Sequence, residues 1–233
     1  LLAAGCSSDD PSKTRNNVNN GDNNGTVVNN GTTPNNGTPT NNGTIPNNNG
    51  VDLGPDLPAG TLYRIGTFNV QQFFDTVCDG TCNTTSFEIL RSEAEFNFKA
   101  GQIADAMEEM NLDAVMLQEI ETQASLDELA SRTDYEVGEM GEVGYAGSLD
   151  VAVFARGTLR KVVSHKDERV MLANGTSTSF SRDFLEVHVE RNGQLIILFS
   201  AHFKSKRNDD PARRLAEAQG AQRFKESSES SRF

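Results

Sequence analysis

The chain has 233 residues, of which 36% are hydrophobic and none is tryptophan, with a formal net charge of −12. That composition excludes a chain packed throughout its length, and the charge excludes a general nucleic-acid coat, which must neutralise phosphates with Lys and Arg. The average hides an asymmetry: residues 60–155 carry 4 basic and 18 acidic side chains, whereas 156–226 carry 14 basic and 9 acidic, so a polyanion would approach through the second stretch unless those charges only solvate a face.

In chain order, Leu1-Leu-Ala-Ala-Gly-Cys6-Ser-Ser has the apolar end of a signal peptide and small residues before a single cysteine. It looks like a bacterial lipoprotein lipobox over residues 1–6, with Cys6 as the lipidation site, although a chance cysteine would read the same way. Acyl chains on Cys6 would tie the protein to a membrane without a spanning helix, as an exported outer-membrane or cell-envelope lipoprotein or an extracellular protein. Residues 7–58 are Asn, Gly, Thr and Pro with quasi-repeats such as Asn29-Asn-Gly-Thr and Asn35-Asn-Gly-Thr. They carry too little apolar surface to offset chain entropy and read as a disordered linker. Residues 59–233 read as the one folded domain.

Within it, Tyr63-Arg-Ile-Gly-Thr-Phe-Asn69 is a strand that finishes on an amide. The loop from Phe73 to Phe87 carries Cys-Asp-Gly-Thr-Cys, and Cys78 and Cys82 could close a disulfide in an exported chain; no neighbouring histidine or second cysteine pair suggests zinc. Phe96, Ala100, Ile103, Met107 and Met110 share one helical face, and Asn111 ends that helix. The apolar strand Asp113-Ala-Val-Met-Leu-Gln finishes on Glu119. A short helix is expected over Ser125–Ser131, with Ser125 and Glu128 spaced as a capping box. Strands are then expected at Leu149–Ala155, Lys161–Val163, Phe184–Val189 and Gln194–Ala201, with turns at Ala173-Asn-Gly175 and Arg191-Asn-Gly193. A last helix follows Pro211, and Lys225–Phe233 gives no structural signal. The alternation of strands and helices suggests an α/β class with sheets covered by helices.

Three apolar strands thus end in Asn69, Glu119 and His202. Ligands of open α/β layers gather outside the carboxyl ends of strands, so these three could meet. A carboxylate closing so apolar a run suits a hard cation, Mg²⁺ first, with Mn²⁺ or Ca²⁺ able to replace it; the alternative is a glutamate preceding the next helix. Asn69 could join the metal or orient a phosphate oxygen, or simply make a strand-end turn. His202 could act as general acid or base, donate to a phosphoryl oxygen, or be a satisfied core histidine. Asp150 could fix the His202 ring through its other nitrogen. Arg182, before a strand, could grip a phosphate.

Together these pieces resemble the endonuclease/exonuclease/phosphatase family, the fold of deoxyribonuclease I. Thr67-Phe-Asn69-Val is similar to its first-strand Asn motif, Leu117-Gln-Glu119-Ile to its metal-binding motif, Ser181-Arg182 to its phosphate-contacting arginine, and Ser200-Ala-His202-Phe-Lys-Ser to its first catalytic histidine. The resemblance covers about residues 62–222. It implies a four-layer α/β sandwich of two mixed sheets flanked by helices, truncated at the C-terminus, and a Mg²⁺-dependent phosphodiesterase cleaving DNA or RNA. It also implies catalytic roles for His202, Asn69 and Asp150, a tyrosine near the scissile phosphate at Tyr145, metal binding at Glu119 and Asn69, and phosphate binding at Arg182 and Lys204. The family's Asp-x-Asn and terminal Asp-His motifs have no match, so this stretch alone is expected to have little activity. Nucleic acid is the expected substrate, a membrane the expected anchor, and no protein partner is implied. Alternatives are a phosphatase or phosphodiesterase for lipid or inositol phosphates, and a non-catalytic surface binding lipoprotein.

Overall fold

The computed structural model describes residues 2–4, 62–82, 86–206 and 209–230. Cys6 and the linker expected at 7–58 lie outside them, whereas residues 2–4 of the expected lipobox are described and form a strand.

Two four-stranded sheets form the centre. The first runs β2 (Ile65–Phe73), β3 (Ala114–Ile120), β5 (Asp150–Ala155), β4 (Val137–Gly141); the second runs β1 (Leu2–Ala4), β10 (Gln194–Ala201), β9 (Leu185–Arg191), β6 (Thr158–Ser164). A hairpin of β7 (Arg169–Met171) and β8 (Ser177–Ser179) stands apart. Helices α1 (Glu93–Met110), α2 (Gln123–Arg132) and α3 (Pro211–Ser230) complete the element order. β2 and β3 pair in parallel, as do β1 and β10, and the other pairs in these two sheets are antiparallel, so both sheets are mixed. Parallel neighbours need a crossover, and α1 supplies it between β2 and β3.

Period-two alternation along the strands builds the layers. Met116, Val151 and Val153 of the first sheet meet Leu185, Val187 and Leu198 of the second. The opposite faces of β3 and β5 present Val115, Leu117 and Phe154 to Ile103 and Met107 of α1 and to Leu126 and Leu129 of α2. On the far side, Ile197 and Phe199 pack with Phe184 beneath Ala216 and Ala221 of α3. The order helix, sheet, sheet, helix is the expected four-layer sandwich, and each fully buried large side chain contributes about 1.5–3 kcal/mol.

Local chemistry sets the boundaries. Ser92 accepts from the Glu95 N–H at 3.3 Å while the Glu95 carboxylate accepts from the Ser92 N–H at 2.9 Å, so a capping box opens α1 three residues before the periodic face. Asn111 closes it in the left-handed conformation. The box expected at Ser125 and Glu128 is not formed; Thr122 caps α2 and Ser125 is the residue whose N–H it receives at 3.2 Å. α3 continues through Lys225 to Ser230, where the sequence offers no helical signal. Its end is held by Ser228, whose hydroxyl donates to Glu186 at 2.8 Å. The same buried carboxylate takes His165 Nε2 at 2.9 Å and a close contact from His188 Nε2, so these two histidines are structural. The β9–β10 turn has φ of 53° at Asn192 and 74° at Gly193, the paired positive values of a tight hairpin. No helix among the described residues is long and apolar enough to cross a membrane.

Gly157, between β5 and β6, has φ 127°, and a Cβ there would lie 2.5 Å from the Glu190 carbonyl oxygen, a backbone atom that cannot move aside. Gly157→Ala should therefore destabilise the fold by about 3 kcal/mol, read as a lowered melting temperature.

Candidate active site

β2 and β3 end side by side, and both ends are irregular. The β2–β3 register shifts between Asn69 and Phe73, and the β3–β5 register shifts between Gln118 and Ile120. Upstream of the shift, buried Gln118 braces the pair by donating Nε2 to Thr67 Oγ1 at 3.0 Å and to the Met116 carbonyl at 3.1 Å. At the irregularities the chain takes the left-handed conformation at Gln71 (φ 55°), Gln72 (φ 54°) and Glu119 (φ 70°), none of them glycine. Each such residue costs on the order of 1 kcal/mol and persists only where its surroundings impose it, which is characteristic of functional sites.

The strain aims one carboxylate. Glu119 Oε1 accepts from Asn69 Nδ2 at 2.9 Å, and Oε2 accepts from the Gln72 N–H at 3.0 Å. Asn69 is itself fixed, because its Oδ1 receives the Gln71 N–H at 2.8 Å. Lys99 of α1 locks the loop from outside, donating Nζ to the carbonyl of Gln71 and, at 3.2 Å, to that of Gln72. With two N–H donors bound, the carboxylate still has lone pairs for a cation. Asn69 is thus an orienting group whose oxygen is already engaged, and Glu119 is the stronger ligand.

His202 reaches this point from the other sheet. Ser200, on β10, donates Oγ to the Leu117 carbonyl of β3 at 3.3 Å, tying the two strands just before their ends. His202 Nε2 consequently lies 3.8 Å from Glu119 Oε1, too far for a hydrogen bond. Neither ring nitrogen has a hydrogen-bond partner among the described residues, although the ring is 97% buried by its 3% exposure. Desolvation, reinforced by the Arg182 charge, pushes the imidazole pKa down to about 4, so His202 is neutral at pH 7. A buried neutral imidazole with open nitrogens beside a carboxylate with open lone pairs fits a hydrated divalent cation and its oxygen substrate.

Asp150 does not hold the His202 ring as expected. Its oxygens accept from the Val143 N–H at 3.2 Å and the Ser148 hydroxyl at 2.7 Å, because the turn after β4 folds over the head of β5 and supplies donors nearer than the imidazole. Burial raises its pKa to about 6, against the lowering effect of those two bonds and of Arg182. A folded pKa above the unfolded 3.8 means stability fully present below about pH 4 and lost as pH rises through 6. Asp150→Asn should match the wild type at pH 4 and exceed it by about 2–3 kcal/mol at pH 8, measured by denaturant titration.

Arg182 bridges the parts. Its Nε donates to the Leu149 carbonyl at 3.3 Å, and its charge bears on both His202 and Asp150. It lies in a cleft of about 430 Å³ with Tyr145, Phe87 and the Gly80 loop. Cys78 and Cys82 form a disulfide, with Cα atoms 5.9 Å apart. Lys204 follows His202 on the same segment, its Nζ turned to the Ser205 carbonyl at 3.3 Å.

Glu217 of α3 was not legible as part of the site. Fully buried, it accepts from the Ser181 N–H at 2.7 Å and the Ser181 hydroxyl at 2.6 Å with one oxygen, and from the Lys204 N–H at 2.5 Å with the other. It therefore holds the segment of Arg182 against the segment of His202. Two of these three donors are backbone N–H groups, of Ser181 and Lys204, and no local sequence pattern assigns a backbone N–H to a distant carboxylate.

No protein-family model matches this sequence, and no curated protein matches it either. Solved structures do. The chain is similar in structure to endonuclease/exonuclease/phosphatase proteins. An endonuclease/exonuclease/phosphatase family protein from Leptotrichia buccalis is 16% identical with a TM-score of 0.38, over 61% of this chain and 54% of that one. A β-hairpin deletion mutant of beta toxin from Staphylococcus aureus is 16% identical with a TM-score of 0.43, over 65% and 54%. TDP2 from C. elegans is 14% identical with a TM-score of 0.40, over 64% and 38%. The chain spans about half or less of the length of these proteins.

Proposed function

We propose that this protein is a metal-dependent phosphoester hydrolase acting on DNA or RNA phosphodiesters, exported and anchored to a bacterial envelope through Cys6. The observation that carries the reading is the strained meeting of β2 and β3, where three left-handed residues point one oriented carboxylate toward an unpartnered histidine from the facing sheet. Such strain clusters at active sites and ligand clamps, which supports a use for it here. The motif resemblance over residues 62–222 and the basic balance of 156–226 favour a nucleic-acid substrate.

Glu119 would hold the cation, Mg²⁺ by the preference of an all-oxygen site, while Asn69 and Gln72 keep the carboxylate turned. When bound, Mg²⁺ supplies Lewis-acid stabilisation of charge on phosphoryl oxygens. His202, neutral at pH 7, can take a proton at a ring nitrogen or donate its single N–H to an oxygen of the phosphate. Arg182 would grip a non-bridging oxygen, and Lys204 adds positive charge nearby. The tether expected at 7–58 would let an anchored domain sweep the surrounding medium.

The test is a substrate panel with the full-length protein: single-stranded and duplex DNA, RNA, and lipid and inositol phosphates, each with and without Mg²⁺. Release of nucleotides only with metal is the expected result. Turnover confined to lipid or inositol phosphates would replace the nuclease reading, and a lack of turnover on the whole panel would end the hydrolase reading.

A further inference from the structure

Beside the reacting groups lies a second built feature that the hydrolysis of a phosphodiester does not by itself require. The cleft of about 430 Å³ at Arg182 is bounded on one side by the disulfide loop with Gly80 and Phe87, and on the other by Tyr145 and the residues after it. Buried Glu88 holds the first side and packs closely against the second. Its carboxylate accepts from the Asp79 N–H at 2.7 Å and the Gly80 N–H at 3.0 Å, while a Cβ on Gly147 of the opposite wall would fall 2.7 Å from Glu88 Oε2. The disulfide between Cys78 and Cys82 closes the same loop covalently. Each wall then offers an aromatic ring to solvent: Phe87 is 45% exposed, braced edge-on against buried Phe74 at 5.8 Å, and Tyr145 is 59% exposed.

Two exposed rings and an arginine lining one cleft suit a flat aromatic group attached to a phosphate. We propose that this cleft receives one unpaired nucleobase of the substrate strand, stacked on Phe87 and Tyr145, next to the phosphate gripped by Arg182. The inference rests on the phosphodiesterase reading and narrows it to single-stranded or locally opened nucleic acid, since bases in a duplex keep their faces against their neighbours. Every base has a π-face, so the cleft would favour exposed bases without choosing among them. Its volume lies at the small end of ligand pockets, suited to one nucleotide and too small for a double helix.

The experiment measures binding of labelled oligothymidylate and of a hairpin duplex to the full-length protein by fluorescence anisotropy, alongside cleavage of both with Mg²⁺. The wild type should bind and cut the single strand at least about tenfold better than the duplex, and Tyr145→Leu and Phe87→Leu should each lose about tenfold on the single strand. Tyr145→Phe, which keeps the ring and removes the hydroxyl, should retain the preference. Because Phe87 also braces Phe74, the exposed Tyr145 pair decides the matter if Phe87→Leu does not fold. Equal cutting of single strand and duplex, or leucine variants with wild-type preference, would overturn the cleft while leaving the hydrolase standing. Loss of binding to phosphatidylcholine–phosphatidylserine vesicles without loss on the oligonucleotide would assign the rings to a membrane instead and overturn it too. Absence of any phosphodiester cleavage by the wild type would remove both readings together.

Discussion

On the proposed reading, Glu119→Gln in the full-length protein should abolish metal-dependent turnover, lowering kcat by roughly a thousandfold, the several kcal/mol that a Lewis acid contributes at about 1.4 kcal/mol per factor of ten. The substitution keeps the shape of the side chain and removes its charge. It also has a cost without metal, because the carboxylate now accepts from both Asn69 Nδ2 and the Gln72 N–H. An amide offers an acceptor to one of them and a donor to the other, so about 1–2 kcal/mol of stability should be lost. Calorimetric titration with Mn²⁺ separates the effects: the wild type should bind, and the variant should bind at least 100-fold more weakly. Unchanged binding would place the metal elsewhere.

The second large effect belongs to Glu217. Replacing it with leucine removes the acceptor of the Ser181 and Lys204 N–H groups and the partner of Arg213 Nε at 3.3 Å, all in a fully buried position. Breaking such a network should cost about 3–5 kcal/mol and lower the melting temperature on the order of 10 °C. Glu217→Gln keeps the volume and one acceptor. Assayed well below its melting point, it should fold yet turn over more slowly, because the Arg182 and His202 segments lose their common anchor. A glutamine variant with full turnover and reduced stability would make Glu217 a purely structural residue.

Asn69, Glu119 and His202 were legible because each follows an apolar run that has no use for a polar side chain, although β2 continues past Asn69 to Phe73 and β3 past Glu119 to Ile120, beyond register shifts that the sequence does not show. The hairpin at Asn192-Gly193 was legible for a different reason: that dipeptide accepts two positive φ angles with little strain. What stayed hidden lacked a local signal. Strand β4, Val-Gly-Glu-Met-Gly, reads as a loop because its glycines spoil the alternation, and only pairing with β5 makes it a strand. The left-handed backbone of Gln71, Gln72 and Glu119 cannot be read from residues that normally avoid it; tertiary contacts impose it. Asp150 was legible as a carboxylate at the head of β5, but its partners come from a turn whose path the sequence does not specify.

The bond from Ser200 to the Leu117 carbonyl spans the seam between the two sheets, and the reacting groups are shared out across that seam. Glu119 and Asn69 ride on one slab, His202 and Arg182 on the other. A slip of about an ångström between slabs would leave the protein folded and its chemistry misaligned. Trimming Val187 or Met116, deep in the interlayer, should therefore silence the proposed catalysis by loosening the alignment of two plates.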